Sequence, residues 1–185
     1  MKRLIFYIFF VSLMIQACGQ TNVKTDTNGI YSNSTFRFSV LIPNDWKLAG
    51  EMENERKTIV CWTLPAIYSD IEKTEIENAI SITAHKSTYI TSVSDLILSE
   101  YLRIDPVETA LEYIDESNKN ARMIYTTTPQ GLKYKGKSYF VFNHILQPYS
   151  EVNGIGYIIT FMATPGTFDK NIDVFEEFYK SINYN

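Results

Sequence analysis

Histidine and cysteine are scarce in this chain of 185 residues, with two of each. Two histidines, His85 and His144, sit in separate segments with no carboxylate at metal-ligand spacing, which argues against a zinc or similar centre. The sequence also lacks a nucleophile elbow, a phosphate-binding glycine loop and a zinc-binding helix signature. It has no excess of basic residues: 17 Lys and Arg face 21 Asp and Glu, a net charge of −4. That balance gives no reason to expect nucleic acid as a partner. The chain is not poor in apolar groups, however. Hydrophobic residues make up 45% and aromatic residues 14%, which excludes a disordered chain.

The apolar residues are distributed unevenly, and the first block is the most informative. Lys2 and Arg3 precede an apolar run at 4–15, and Ile15-Gln16-Ala17 leads into Cys18. As a helix the run rises only ~18 Å, whereas a bilayer core takes roughly 20 residues. The layout therefore describes a secretory signal peptide. It resembles the lipobox of bacterial lipoproteins, with Ala17 immediately before the cysteine and Ile15 three positions before it. Gln16 departs from the usual pattern, and a cleaved leader without lipid is the alternative. The resemblance implies a diacylglycerol thioether on Cys18, loss of residues 1–17 and acylation of the new amino terminus. Two or three chains hold firmly where one binds only marginally, at ~0.8 kcal/mol per buried methylene. Gly19 after the cysteine, in place of Asp, implies by the same analogy the outer membrane of the cell envelope.

Once Cys18 carries lipid, Cys61 is the one thiol left, and no intrachain disulfide is possible. Cys61 lies in Thr58-Ile59-Val60-Cys61-Trp62, where a small buried hydrophobe is expected. Without residues 1–17 the net charge becomes −6, because Lys2 and Arg3 are lost. Residues 19–34 are polar and read as a flexible tether. The division is then a leader at 1–17, a lipidated cysteine and tether at 18–34, and one domain at 35–185, whose earliest start is about Ile30.

Within the domain, Phe36, Phe38, Val40 and Ile42 alternate with Arg37, Ser39 and Leu41, a strand pattern closed by Pro43-Asn44-Asp45. A returning strand is expected at 46–50, followed by strands at 58–64 and 79–85. The connection at 65–78 leaves room for a short helix. Residues 51–57 read as an exposed hairpin loop. Glu51, Glu53 and Glu55 lack calcium-loop spacing. Ser92 and Asp95 form a capping-box-like start for a helix with Val93, Leu96, Ile97, Tyr101 and Ile104 on one face. Asp105, Pro106 and Glu108 predict a second helix with Val107, Ala110, Leu111 and Ile114 as its buried stripe.

Three strands are expected next, at 121–128, at 138–147 and around 157–162, with Lys135-Gly136-Lys137 as a hairpin tip. The second and third carry apolar groups on both faces, as central strands do. Thr167 is expected to cap a last helix with the stripe Phe168, Ile172, Phe175, Phe178 and Ile182, and Glu176 to pair with Lys180. The order predicts an α+β fold: an antiparallel sheet of six or seven strands with helices packed on its faces.

The start Phe36-Arg37-Phe38-Ser39-Val40-Leu41-Ile42-Pro43-Asn44-Asp45-Trp46 resembles the F-x-F-x-V-x-x-P-x-x-W opening of PsbP-like domains. The paired strands 139–147 and 156–163, then Thr164-Pro165 and the helix to Ile182, resemble their ending. That superfamily includes the extrinsic PsbP protein of photosystem II, the Ran-binding import factor Mog and envelope lipoproteins of the DcrB type. The resemblance implies a noncatalytic protein that binds or helps assemble other proteins, without cofactor, metal or catalytic residues.

A small-ligand carrier or hydrolase using the sheet face near His144 is the alternative, with His85 as the other histidine. Trp62, Tyr125, Tyr139, Tyr157 and Phe161 are expected in the core, or else lining a pocket. Tyr68, Tyr89, Tyr149 and Tyr184 are expected at a contact surface. Lys133, Lys135 and Lys137 are expected on a solvated hairpin edge. The expected partners are the membrane, through lipid on Cys18, and an envelope protein.

Overall fold

The computed structural model describes residues 25–86, 89–114, 119–144 and 154–184, with the His144 side chain left aside. The leader, Cys18, residues 145–147 and Tyr149 lie outside the described residues. The strands are β1 (Ile30–Asn33), β2 (Phe38–Leu41), β3 (Lys47–Glu53), β4 (Lys57–Thr63), β5 (Ile67–Ser69), β6 (Thr74–Ile76) and β7 (Ala79–His85). Helix α1 (Val93–Ile104) precedes β8 (Glu108–Tyr113), β9 (Asn120–Thr127), β10 (Tyr134–His144) and β11 (Gly154–Ala163). Helix α2 (Pro165–Lys180) and β12 (Asn183–Tyr184) complete the order. The main sheet runs β3-β4-β7-β11-β10-β9-β8, antiparallel throughout, beside a small sheet β1-β2-β12 and the hairpin β5-β6.

Two cores lie on opposite faces of the main sheet. One joins Phe168, Phe175 and Phe178 of α2 and Tyr31, Phe38 and Val40 of the small sheet to Trp62, Ile80, Tyr139, Tyr157 and Phe161. The other sets Val93, Leu96, Ile97 and Ile104 of α1 on Ala121, Met123, Tyr125, Phe140, Phe142 and Ile158. β10 and β11 are covered on both sides, which is why residues 139–142 of β10 and most of β11 read as almost unbroken apolar runs. Ser92 caps α1 as expected, accepting from the Asp95 N–H at 3.2 Å.

The second expected helix is a strand. Asp105 adopts the left-handed conformation (φ 44°) and its N–H donates to the Tyr101 carbonyl, so it ends α1. Pro106 then keeps α1 from continuing, because it has no N–H to donate and its ring clashes with the preceding turn. Residues 108–113 pair with β9 and all six are exposed. Tyr101, expected in the buried stripe, is 40% exposed, and its place under the helix is taken by Glu100.

Lys135-Gly136-Lys137 is no tip either. It lies within β10, and the turn is a 3-10 segment at Pro129–Gly131 with Gln130 at φ 53° and Gly131 at φ 79°. Gly136 is needed because the Tyr125 ring fills the space a side chain would take: an added Cβ meets Tyr125 Cζ at 2.2 Å. The connection at 65–78 holds the hairpin β5-β6 in place of a helix.

The folded part also begins before residue 35. Thr25 bridges Tyr31, the Asp26 carboxylate accepts from the N–H groups of Asn28 and Ile30, and Tyr31 and Asn33 are buried in β1. Ser32-Asn33-Ser34 looks like linker but ends a strand, with the Asn33 side chain holding the Phe36 N–H at 2.9 Å. β3 extends to Glu53, so the 51–57 loop shrinks to a turn in which Asn54 accepts from the N–H groups of Arg56 and Lys57. Tyr31 donates to Glu51 at 2.7 Å and Asn33 to Glu53 at 2.8 Å, tying the small sheet to the main one. β2 pairs with β1 and β12, so residues 46–50 do not return along it.

At the other end of the domain, Thr164 is the N-cap of α2 and Pro165 opens it. Thr167 lies in the first turn and binds Asn78 at 2.9 Å.

Candidate interaction surface

The titratable groups singled out in the sequence are quiet. Cys61 is buried in β4, and burial pushes its thiol up to about 12, so it stays protonated. His85 faces the α1 side of the sheet, paired with Gly156 and Lys57. Burial and then the Lys57 charge push it down to about 4, leaving it neutral near pH 7. His144 closes β10 opposite Gly154.

Below pH 6.5 the unfolded chain takes up a proton that the folded His85 refuses. Stability is therefore lost as pH falls from 6.5 towards 4, by about 1–2 kcal/mol after allowance for partial solvation. His85→Gln is expected to remove that component, read as the difference in urea midpoint between pH 7 and pH 4.5. An unchanged pH response in the variant refutes it.

Under α1 lies a row of internally matched polar groups. Arg103 Nε donates to Glu100 at 2.9 Å, Thr160 lies 3.5 Å from the same carboxylate, and Ser138 is 2.9 Å from Thr160. Lys57 is lowered, by burial first and then by Arg103, with Glu100 acting the other way. These contacts satisfy a buried carboxylate and bind α1 to the sheet. Among the described residues, no three His, Cys, Asp or Glu side chains are grouped to hold a metal.

Of the three lysines expected on a solvated edge, Lys133 is exposed, but Lys135 and Lys137 lie in β10 between β9 and β11, and Lys137 is buried. Lys137 pairs with Glu176, and Lys135 reaches Asp169 at 3.2 Å while lying over the Phe168 ring. Burial raises the Glu176 pKa, but hydrogen bonds from Lys137 and Tyr139 and the charges of Lys137 and Lys180 bring it below the usual value. Lys180 thus acts on Glu176 through its charge, while the Glu176 carboxylate is paired with Lys137. Trp62, Tyr125, Tyr139, Tyr157 and Phe161 are all core residues. Of the tyrosines expected at a surface, Tyr68 and Tyr89 are exposed. Tyr184 instead packs on Tyr157 with ring centres 4.7 Å apart.

Of the two edge strands of the main sheet, β3 and β8, it is β8 that is flanked by several large exposed apolar side chains. Among the described residues β8 pairs only with β9. Its outer backbone is accompanied by exposed Val107, Leu111, Tyr113 and Ile114. Leu111 lies opposite Met123, which belongs to the α1 core, so Thr109, Leu111 and Tyr113 share the α1 face. Ser94 of α1 meets the Tyr113 hydroxyl at 3.3 Å. That contact turns the Ser94, Leu98, Leu102 row of the helix towards β8, with Leu98 58% and Leu102 74% exposed. On the opposite face Glu112 is held by Arg122 at 2.6 Å. An open edge flanked by large apolar side chains is a surface that proteins normally cover. Reading 105–114 as a helix hid it. The signal was the alternation of Thr109, Leu111 and Tyr113 with Glu108, Ala110 and Glu112.

No protein-family model matches the chain, and no curated protein matches it. Solved structures do. The solution structure of cyanobacterial PsbP (CyanoP) from Synechocystis sp. PCC 6803 superposes with a TM-score of 0.51 at 11% identity, covering 92% of this chain and 99% of that one. LpqN, involved in cell envelope biogenesis of Mycobacterium tuberculosis, gives 0.43 at 8% identity, covering 85% of each chain. The sheet with a helix on each face, together with the first of these likenesses, makes the domain a PsbP-like α+β fold.

Proposed function

We propose that this chain is a lipid-anchored, noncatalytic protein-binding or assembly-accessory protein of the bacterial envelope. The observation that carries the binding role is the β8 edge with Leu98, Leu102, Val107, Leu111 and Tyr113 exposed around it. The anchor rests on the leader pattern and Cys18. From Cys18 to the first paired residue, Thr25, the chain spans at most ~25 Å when extended, which keeps the domain close to the bilayer. Gly19 in the position after the cysteine favours the outer membrane. His85, pushed down to about 4, is a weak base, and Cys61 stays a thiol at pH 7, which weighs against these two groups as the base and nucleophile of a hydrolase.

Cys18→Ala is expected to move the protein from the membrane to the soluble fraction of fractionated cells. Retention with the membranes refutes the anchor. Mild cross-linking of the native protein followed by pull-down tests the binding role. A stoichiometric protein partner supports it, and a co-purifying small molecule in its place overturns it.

A further inference from the structure

The β8 edge has a property that its exposure alone does not: it is complementary to itself. The Ile114 N–H donates to the Asn120 carbonyl at 2.9 Å, which makes 114 a hydrogen-bonded pair with β9. Antiparallel alternation then points the backbone groups of 108, 110 and 112 at β9 and those of Thr109, Leu111 and Tyr113 outward. A second β8 laid antiparallel on this edge, with the α1 faces on one side, must pair through these three residues. Centred on Leu111, it sets Leu111 against its own copy and Thr109 against Tyr113. On the other face Ala110 meets Glu112, and Glu108 meets Ile114. Shifted by two residues one way, Glu108 meets Glu112; shifted the other way, Glu112 meets its own copy. Like charges directly opposite are destabilising, and shifts of four residues leave too little of the six-residue strand paired, so the register centred on Leu111 is favoured.

We propose that the partner seated on β8 is a second copy of this chain, joined through a two-fold β8–β8 pair centred on Leu111. The proposal rests on the binding role assigned above to this edge. Such a contact is isologous, and it closes after two copies. It caps both open edges at once. Leu98 and Leu102 of the two α1 helices flank the axis, and Leu111 and Tyr113 form the floor between them. A six-residue strand pair by itself falls short of the ~1,200 Å² of a standard interface, and these side chains extend it. Glu112, brought near its copy on the diagonal, is already held by Arg122.

The test is thiol cross-linking of the full-length chain in its own membranes with a short bismaleimide. Leu111→Cys is the variant, with the parent chain and Tyr68→Cys as references. Leu111 and Tyr68 are both solvent-facing, so neither change threatens the fold, while Cys61 is buried. The expected result is an adduct of twice the chain mass for Leu111→Cys, absent from both references. The same adduct is expected when Thr109→Cys and Tyr113→Cys chains are co-expressed. An adduct of Leu111→Cys with a different protein overturns the self-pairing while sparing the binding role. No adduct, or equal yield from Tyr68→Cys, overturns the self-pairing and removes the evidence for β8 as a contact.

Discussion

Gly136→Ala is expected to destabilise the domain by about 3 kcal/mol, the upper end of overpacking costs. The new methyl group would stand 2.2 Å from Tyr125 Cζ and 2.5 Å from its Cε2 and hydroxyl. Relief is hard to find there. Gly136 is paired on both sides, with Tyr125 in β9 and Met162 in β11, so its backbone cannot withdraw. The Tyr125 ring is 2% exposed and packed under α1. Urea titration of the variant measures the loss. If the collision is the cause, Gly136→Ala should cost much less in a Tyr125→Ala background, a coupling that a double-mutant cycle reads directly. A near-neutral Gly136→Ala, or strict additivity with Tyr125→Ala, refutes the assignment.

Phe175→Ala is the second large effect, expected to cost about 3–5 kcal/mol. The ring is fully buried beneath α2, 5.8 Å from the Tyr139 ring and 5.5 Å from that of Phe161. Its removal leaves a void between the helix and β10 and β11, whose backbone is fixed by pairing on both edges. Val174, one residue earlier on the same helix, is 37% exposed. Val174→Ala should stay within about 0.5 kcal/mol. Thermal or denaturant melts of the two variants separate packing from helix propensity. Equal losses refute the picture of α2 as a helix held by one face.

These two positions differ in how readable they are. Phe175 belongs to a stripe of period near 3.6, and such a stripe states its own burial. β10 and β11 are equally plain, because only a strand covered on both faces has use for such a run of apolar residues. Gly136 is misleading because a lysine-glycine-lysine triplet has the chemistry of a turn. Its real cause, the Tyr125 ring, sits on a neighbouring strand where local sequence carries no trace of it.

Asp105-Pro106 misleads in a related way. The pair suits a helix start and equally a helix stop, and what decides is that α1 is already running into it. The edge strand beyond is weakly specified because neither of its faces is fully buried. β1 is short and polar to the eye, yet its Tyr31 and Asn33 find Glu51 and Glu53 in a distant strand. The candidate surface was thus hidden by a segment whose secondary structure the local pattern misassigns.

The pairing of β12 with β2 places Asn183 opposite Ser39 and Tyr184 opposite Phe38, and the Tyr157 hydroxyl holds the Phe36 carbonyl across 121 positions. Contacts of such long span cannot form until the last part of the polypeptide has been delivered. The α2 side of a growing chain therefore stays unsealed until residues 183 and 184 are free to pair with β2, so this face is closed late and by the segments farthest apart in sequence.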